Sequence, residues 1–238
     1  MTHAPDPLVW YVAFGSNMSS ARLACYLRGG MPRGTVREYE GCRDPTPPRE
    51  LRSLTITGQV RFAGESSVWG GGTAFYVPSD RGQVHARAYL LRLEQLADLV
   101  AQETRHPVGR PLVLAATGST RHGLSHVYDV LLDLGELEGH RLLTLSSSYD
   151  HPTNPPSEAY VRTLLDGLAE GFALDVEATI NYLARIPGMS PAWTEDRLRR
   201  LVGTHGTPLA GDAASLTVTA GRTSAGPSTR SSGAAGAR

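Results

Sequence analysis

The 238-residue sequence contains no lysine, so all 23 of its basic side chains are arginines. That excludes Schiff-base chemistry and a phosphate loop built on lysine. The arginines are balanced by 23 acidic residues, and no basic field marks a nucleic-acid partner. Cysteine is scarce. Cys25 and Cys42 could form at most one bridge, and neither sits in a CxxC or zinc spacing, so two thiols in a reducing compartment are expected. No apolar run approaches the ~20 residues of a membrane span, and the first residues lack the pattern of a signal peptide. The eight histidines form no HExxH or Cys/His spacing. His122 and His126 are four apart, but Gly123 and a strand pattern separate them from any shared helical face. No GxSxG elbow marks a serine hydrolase. The reading is a cytoplasmic protein with no metal, membrane or nucleic-acid partner.

What is present reads as strands first and helices after. Leu8–Phe14 is apolar and rich in β-branched and aromatic residues, and it ends at the turn Gly15-Ser16-Asn17. A helix is expected over Ser19–Arg28, with Asn17 or Ser19 as its cap. After a Gly/Pro/Arg-rich loop, strands are expected at Leu54–Phe62, Thr73–Val77 and Val84–Leu91, then an amphipathic helix at Leu93–Arg105 that stops before Pro107. Further strands are expected at Leu112–Ala116, Val127–Leu134 and Arg141–Ser147, then helices at Ser157–Glu170, Asp175–Arg185 and Thr194–Leu201. This order argues for an α+β domain over residues 1–203. Residues 204–238 are Gly/Ala/Ser/Thr-rich and are expected to be disordered.

Three patterns could carry chemistry. The junction Tyr11-Val12-Ala13-Phe14-Gly15-Ser16-Asn17 runs from a strand through a tight turn into a helix start, where unsatisfied N–H groups can hold an anion without lysine. An ordinary strand–helix connection fits the same residues. On the helix Leu93–Arg105, at ~100° per residue, Glu103 falls near Leu96, Leu99 and Val100, while Glu94 and Asp98 lie on the opposite side. A carboxylate on the apolar face is partly desolvated, the setting in which it can accept and return a proton near neutral pH. A helix-end glutamate paired with Arg105 or Arg92 is the alternative. Tyr160, in the first turn of a helix after Pro155-Pro156, could reach a ligand or simply fill the core. Cys25, mid-helix in an apolar pattern, is expected to be buried.

Taken in order, these residues resemble the γ-glutamylcyclotransferase-like family. Its opening Tyr/Phe-x-Ala-Tyr-Gly-Ser-Asn/Leu reads here Tyr11 to Asn17, with Phe14 in place of the second tyrosine. Its Trp-x-Gly-Gly is matched by Trp69-Gly70-Gly71-Gly72, and its Asp/Glu-Val strand start by Gln83-Val84. Its Gln-Glu pair is matched by Gln102-Glu103, and its Pro-Pro-Ser-x-x-Tyr by Pro155, Pro156, Ser157 and Tyr160. Residues 42–52 look inserted relative to the family, and Thr104-Arg105 stands where a glycine is common. The resemblance implies a small mixed β-barrel or curled sheet with packed helices. It also implies release of 5-oxoproline from a γ-glutamyl amide, with Glu103 as acid/base and no metal or organic cofactor. Tyr11, Phe14, Gly15, Ser16, Asn17, Gly71, Gly72 and Tyr160 would bind the small-molecule substrate, with the Gly15 and Ser16 amides on its carboxylate. A homodimer is left open. A catalytically altered binding protein and an amide hydrolase using Glu103 are the alternatives.

Overall fold

In the computed structural model, residues 7–123, 125–205 and 216–218 are described. Strand β1 (Leu8–Ala13) is almost wholly buried. It lies in a seven-stranded mixed sheet, between an antiparallel and a parallel neighbour, and is covered on both faces. That is why its sequence is a continuous apolar run and does not alternate. The antiparallel neighbour is β5 (Gln83–Arg92), which also pairs with β2 (Leu51–Thr57). On the other side β8 (His140–Ser146) joins β7 (Val130–Leu137) and the short β6 (Thr120–Arg121). A separate hairpin, β3 (Gln59–Ala63) and β4 (Thr73–Val77), lies against β8, and the Ser146 hydroxyl donates to the Tyr76 carbonyl at 2.6 Å. The main ladder does not close on itself, so among the described residues this is an open α+β sheet and not a barrel.

Helix α1 (Ser20–Arg28) follows β1 through one 3₁₀ turn at Ser16–Met18, and α2 (Leu93–Glu103) follows β5 directly. The last three helices are α3 (Glu158–Gly171), α4 (Val176–Ala184) and α5 (Glu195–Thr204). Four helix starts carry a Ser, Asp or Thr whose side chain accepts the N–H three residues on: Ser19, Ser157, Asp175 and Thr194. Because Ser19 caps α1, the Asn17 side chain is left for another task.

Several expectations are corrected. The strand expected over Leu54–Phe62 is two strands broken at Gly58, where φ is +148° and a Cβ would sit 2.5 Å from the Tyr76 hydroxyl. Leu112–Ala116 forms no strand. Leu112 and Leu114 pack on the core while Val113 faces solvent, so the alternation is real, but at Ala115 side chains rather than a ladder satisfy the backbone. Thr120 Oγ1 accepts the Ala115 N–H at 2.9 Å, and Arg141 donates to the Ala115 carbonyl at 2.8 Å. The strand expected at Val127–Leu134 starts three residues later, at Val130. Cys25 is only partly buried, whereas Cys42 is buried and both are free thiols.

The tail is corrected in two places. Thr204 is the last residue of α5, and Leu216–Val218 forms β9, parallel to β2. The rest of the segment expected to be disordered, residues 206–215 and 219–238, lies outside the described residues.

The polar face of α2 is also not solvent-facing. Gln95, Asp98 and Gln102, spaced i, i+3, i+7, are all buried. They bind the backbone of residues 41–46, all but Gly41 within the stretch that looked inserted. Asp98 accepts from the Arg43 N–H at 2.9 Å and the Gly109 N–H at 2.8 Å, and Gln95 donates to the Asp44 and Thr46 carbonyls.

Candidate active site

The end of β1, the 3₁₀ turn, the C-terminus of α2 and the first turn of α3 converge on one cleft. At its floor, the Glu103 carboxylate accepts the Asn17 side-chain amide N–H at 2.9 Å, and the same nitrogen donates to the Tyr11 hydroxyl at 2.9 Å. Glu103 is half-buried at the last residue of α2. The next turn ends with Arg105 at φ +62°, and the His106 N–H reaches back to the Ala101 carbonyl at 2.8 Å, a left-handed helix stop built without glycine.

The turn at residues 15–18 is clamped from behind. The Met18 carbonyl accepts from buried Arg87 at 2.6 Å and from the Tyr89 hydroxyl at 2.7 Å, and Arg87 is paired with Glu170 of α3. A Cβ on Gly167 of α3 would lie 2.7 Å from the Met18 carbonyl carbon, so α3 seats directly on the turn. These contacts hold Asn17 against Glu103.

Two adjacent compartments share Ser16, Glu103, Tyr128 and Tyr160 as lining residues. The inner one adds Tyr11, Phe14, Gly15 and Asn17. The outer one adds Arg22, Arg37, Trp69, Thr73 and Arg105. A larger cleft, about 670 Å³ against about 110 Å³ for the outer compartment, lies near His85, Asn181 and Arg185. No carboxylate lines it, so size alone would misplace the chemistry.

Seven of the nine sequence-derived candidates therefore meet: Glu103, Tyr11, Phe14, Gly15, Ser16, Asn17 and Tyr160. Gly71 and Gly72 do not line the cleft. Gly72 donates to the Pro155 carbonyl at 2.8 Å, and a Cβ on either glycine would overlap the carbonyls of Asn154 and Pro155, so the pair seats the segment that leads into α3. The Ser16 N–H, expected to hold a substrate carboxylate, already donates to the Tyr160 hydroxyl at 3.3 Å.

Burial raises the Tyr11, Tyr128 and Tyr160 hydroxyls above the usual tyrosine range, and the Glu103 charge pushes each the same way. All three stay protonated and can donate. Tyr128 and Arg22 are the residues that sequence reasoning missed. The Tyr128 hydroxyl is 3.0 Å from Thr73 Oγ1. Arg22 precedes Tyr26 by four on the buried face of α1, the same helical-face signal that marked Glu103. Among the described residues no three His, Cys, Asp or Glu side chains gather as a metal site.

No protein-family model matches the chain. Histone deacetylase 5 of Arabidopsis thaliana is 34% identical over an alignment of 198 positions that covers 74% of this chain. The chain spans about 30% of that relative's length. Among solved structures, a gamma-glutamyl cyclotransferase and an uncharacterized protein from Homo sapiens each align over 83% of this chain and 99% of their own, at 16% identity and a TM-score of 0.48. YkqA from Bacillus subtilis aligns over 83% of this chain and 55% of its own, at 15% identity and a TM-score of 0.39.

Proposed function

We propose that this chain is a γ-glutamylcyclotransferase-like enzyme that releases 5-oxoproline from a γ-glutamyl amide. The observation that carries the reading is the Tyr11–Asn17–Glu103 hydrogen-bonded chain. It sets one carboxylate at the floor of a cleft lined by protonated hydroxyls. In this reading the α-amine of the γ-glutamyl group attacks its own γ-carbonyl carbon. Glu103 takes a proton from that nitrogen, the new C–N bond closes a five-membered ring, and the old amide C–N bond breaks as Glu103 returns the proton to the leaving nitrogen. No water is consumed. Because attacker and target belong to one molecule, holding the glutamyl chain folded supplies much of the acceleration. The Tyr160 hydroxyl accepts from Ser16 and keeps its own hydrogen for the oxyanion that develops on the γ-carbonyl.

The test is a panel of γ-glutamyl peptides and amines assayed for 5-oxoproline. Glu103→Gln preserves the acceptor for Asn17 but cannot cycle a proton, so turnover should fall about 10²–10⁴-fold with the fold intact. Native-rate turnover in this variant refutes the role of Glu103. Free glutamate as the product would replace cyclisation by hydrolysis, and binding without any product would make the chain a binding protein.

A further inference from the structure

Arg22 is buried to 3% exposure, with its guanidinium between the rings of Tyr26 and Tyr39, 4.3 and 4.5 Å from their centroids. Nη2 donates to both hydroxyls, at 2.7 and 2.8 Å. Nε and Nη1 are buried and have no hydrogen-bond partner. Among the described residues Arg22 pairs with no carboxylate, although it lines the same cleft as Glu103. A buried, half-satisfied guanidinium is costly unless something completes it. Across the shared floor the complementary defect appears. Asn17 spends its amide nitrogen on Tyr11 and Glu103, and its Oδ1, also buried, accepts nothing. The cleft thus presents orphan donors with a positive charge on one side, and an orphan acceptor with a negative charge on the other. The two charges do not meet.

We infer that this cleft binds the head group of an α-amino acid as a zwitterion, with the α-carboxylate on Arg22 and the α-ammonium between Asn17 Oδ1 and Glu103. The inference rests on the glutamyl reading above and moves the carboxylate anchor from the loop amides, where Ser16 is already engaged, to a residue of α1. Arginine suits the role because its planar fork can give a carboxylate two parallel hydrogen bonds while Nη2 stays on the tyrosines. Burial opposes the Arg22 charge, but the Tyr26 and Tyr39 hydroxyls and the Glu103 carboxylate outweigh it, so the cation persists without ligand. Once bound, the ammonium sits on the carboxylate that must deprotonate it.

Calorimetric titration of the full chain with three probes tests this: L-glutamine as the simplest γ-amide, its α-carboxamide, and its Nα-acetyl derivative. Native protein should bind L-glutamine roughly 10- to 100-fold more tightly than either derivative, as a charge-assisted pair at each end requires. Arg22→Gln should abolish the preference for carboxylate over carboxamide and keep the preference for a free ammonium. Should Arg22→Gln fail to fold, Arg22→Lys decides. It keeps a point charge without the fork, so L-glutamine should weaken about 10-fold while the carboxamide is unchanged. Equal binding of all probes by native protein, no binding of L-glutamine, or a carboxylate preference that keeps its native size in a folded Arg22 variant overturns the inference. A preference that depends on Arg22 in a protein releasing no 5-oxoproline would leave this inference standing and remove cyclisation. Release of 5-oxoproline with Arg22 dispensable would do the reverse.

Discussion

Gly15→Ala adds one methyl group where the site has no room for it. The backbone itself is not the obstacle, since Gly15 has φ −116°. The Cβ would stand 2.6 Å from the Tyr160 hydroxyl and 3.2 Å from Ala74 Cβ, well inside the ~3.5 Å at which such atoms rest. Tyr160 cannot yield cheaply. It is buried and packed edge-on against Phe62 and Trp69, with ring centroids 5.4 and 5.6 Å away. Overpacking of this kind costs about 1–3 kcal/mol, and displacing the hydroxyl from the Ser16 N–H adds about 1 kcal/mol. For a chain of this size each kcal/mol lowers the melting temperature by roughly 2–4 °C, so a drop of roughly 4–15 °C is expected by calorimetry or circular dichroism. Tyr160→Phe deletes the clashing oxygen and leaves the ring Cζ at 3.7 Å, an ordinary contact. The double variant should therefore be more stable than the sum of the single effects by at least about 1 kcal/mol. Single effects that add within ~0.5 kcal/mol, or a Gly15→Ala protein as stable as native, would refute the proposed packing of the loop against Tyr160.

Two further outcomes are expected. Asp98→Ala should destabilise the fold by about 2–4 kcal/mol in denaturant titration, since it leaves two backbone N–H groups unanswered, whereas the ion pair to half-exposed Arg43 contributes little. An unchanged midpoint would mean that loop 41–46 is held by other contacts. His85, packed at a tilt between Phe172 and Tyr182 with ring centroids 4.4 and 4.7 Å away, is held below the usual histidine range by burial, as is His122. The unfolded chain then binds more protons than the folded one, so stability is full above about pH 6.5 and declines as pH falls below it. His85→Phe should reduce, without abolishing, that decline in melting temperature between pH 7.5 and 5, and an unaltered slope would exclude His85 as a source.

Much of the site is legible in one dimension because its parts are local. The run of β1, the Gly15 turn, the Ser19 cap and the placement of Glu103 on the apolar face of α2 all follow from residues within a few positions of one another. A helical wheel, however, gives a direction and not what lies in that direction. It sets Asp98 opposite the apolar face, but residues 41–46 fold back over that side and bury it. Leu112–Ala116 alternates as a strand should, yet strand identity requires a partner edge, and the edge beside β7 is occupied by β6. Leu216–Val218 lies in a polar, Gly/Ala-rich tail and becomes a strand because β2 offers an open edge. Arg22 depends most on the fold: nothing near it in the chain shows that Tyr39 and Trp69 will enclose it, or that its positive charge will face Glu103 across a cleft. Local patterning sets which side of an element is buried, and tertiary contact sets which charges are buried together.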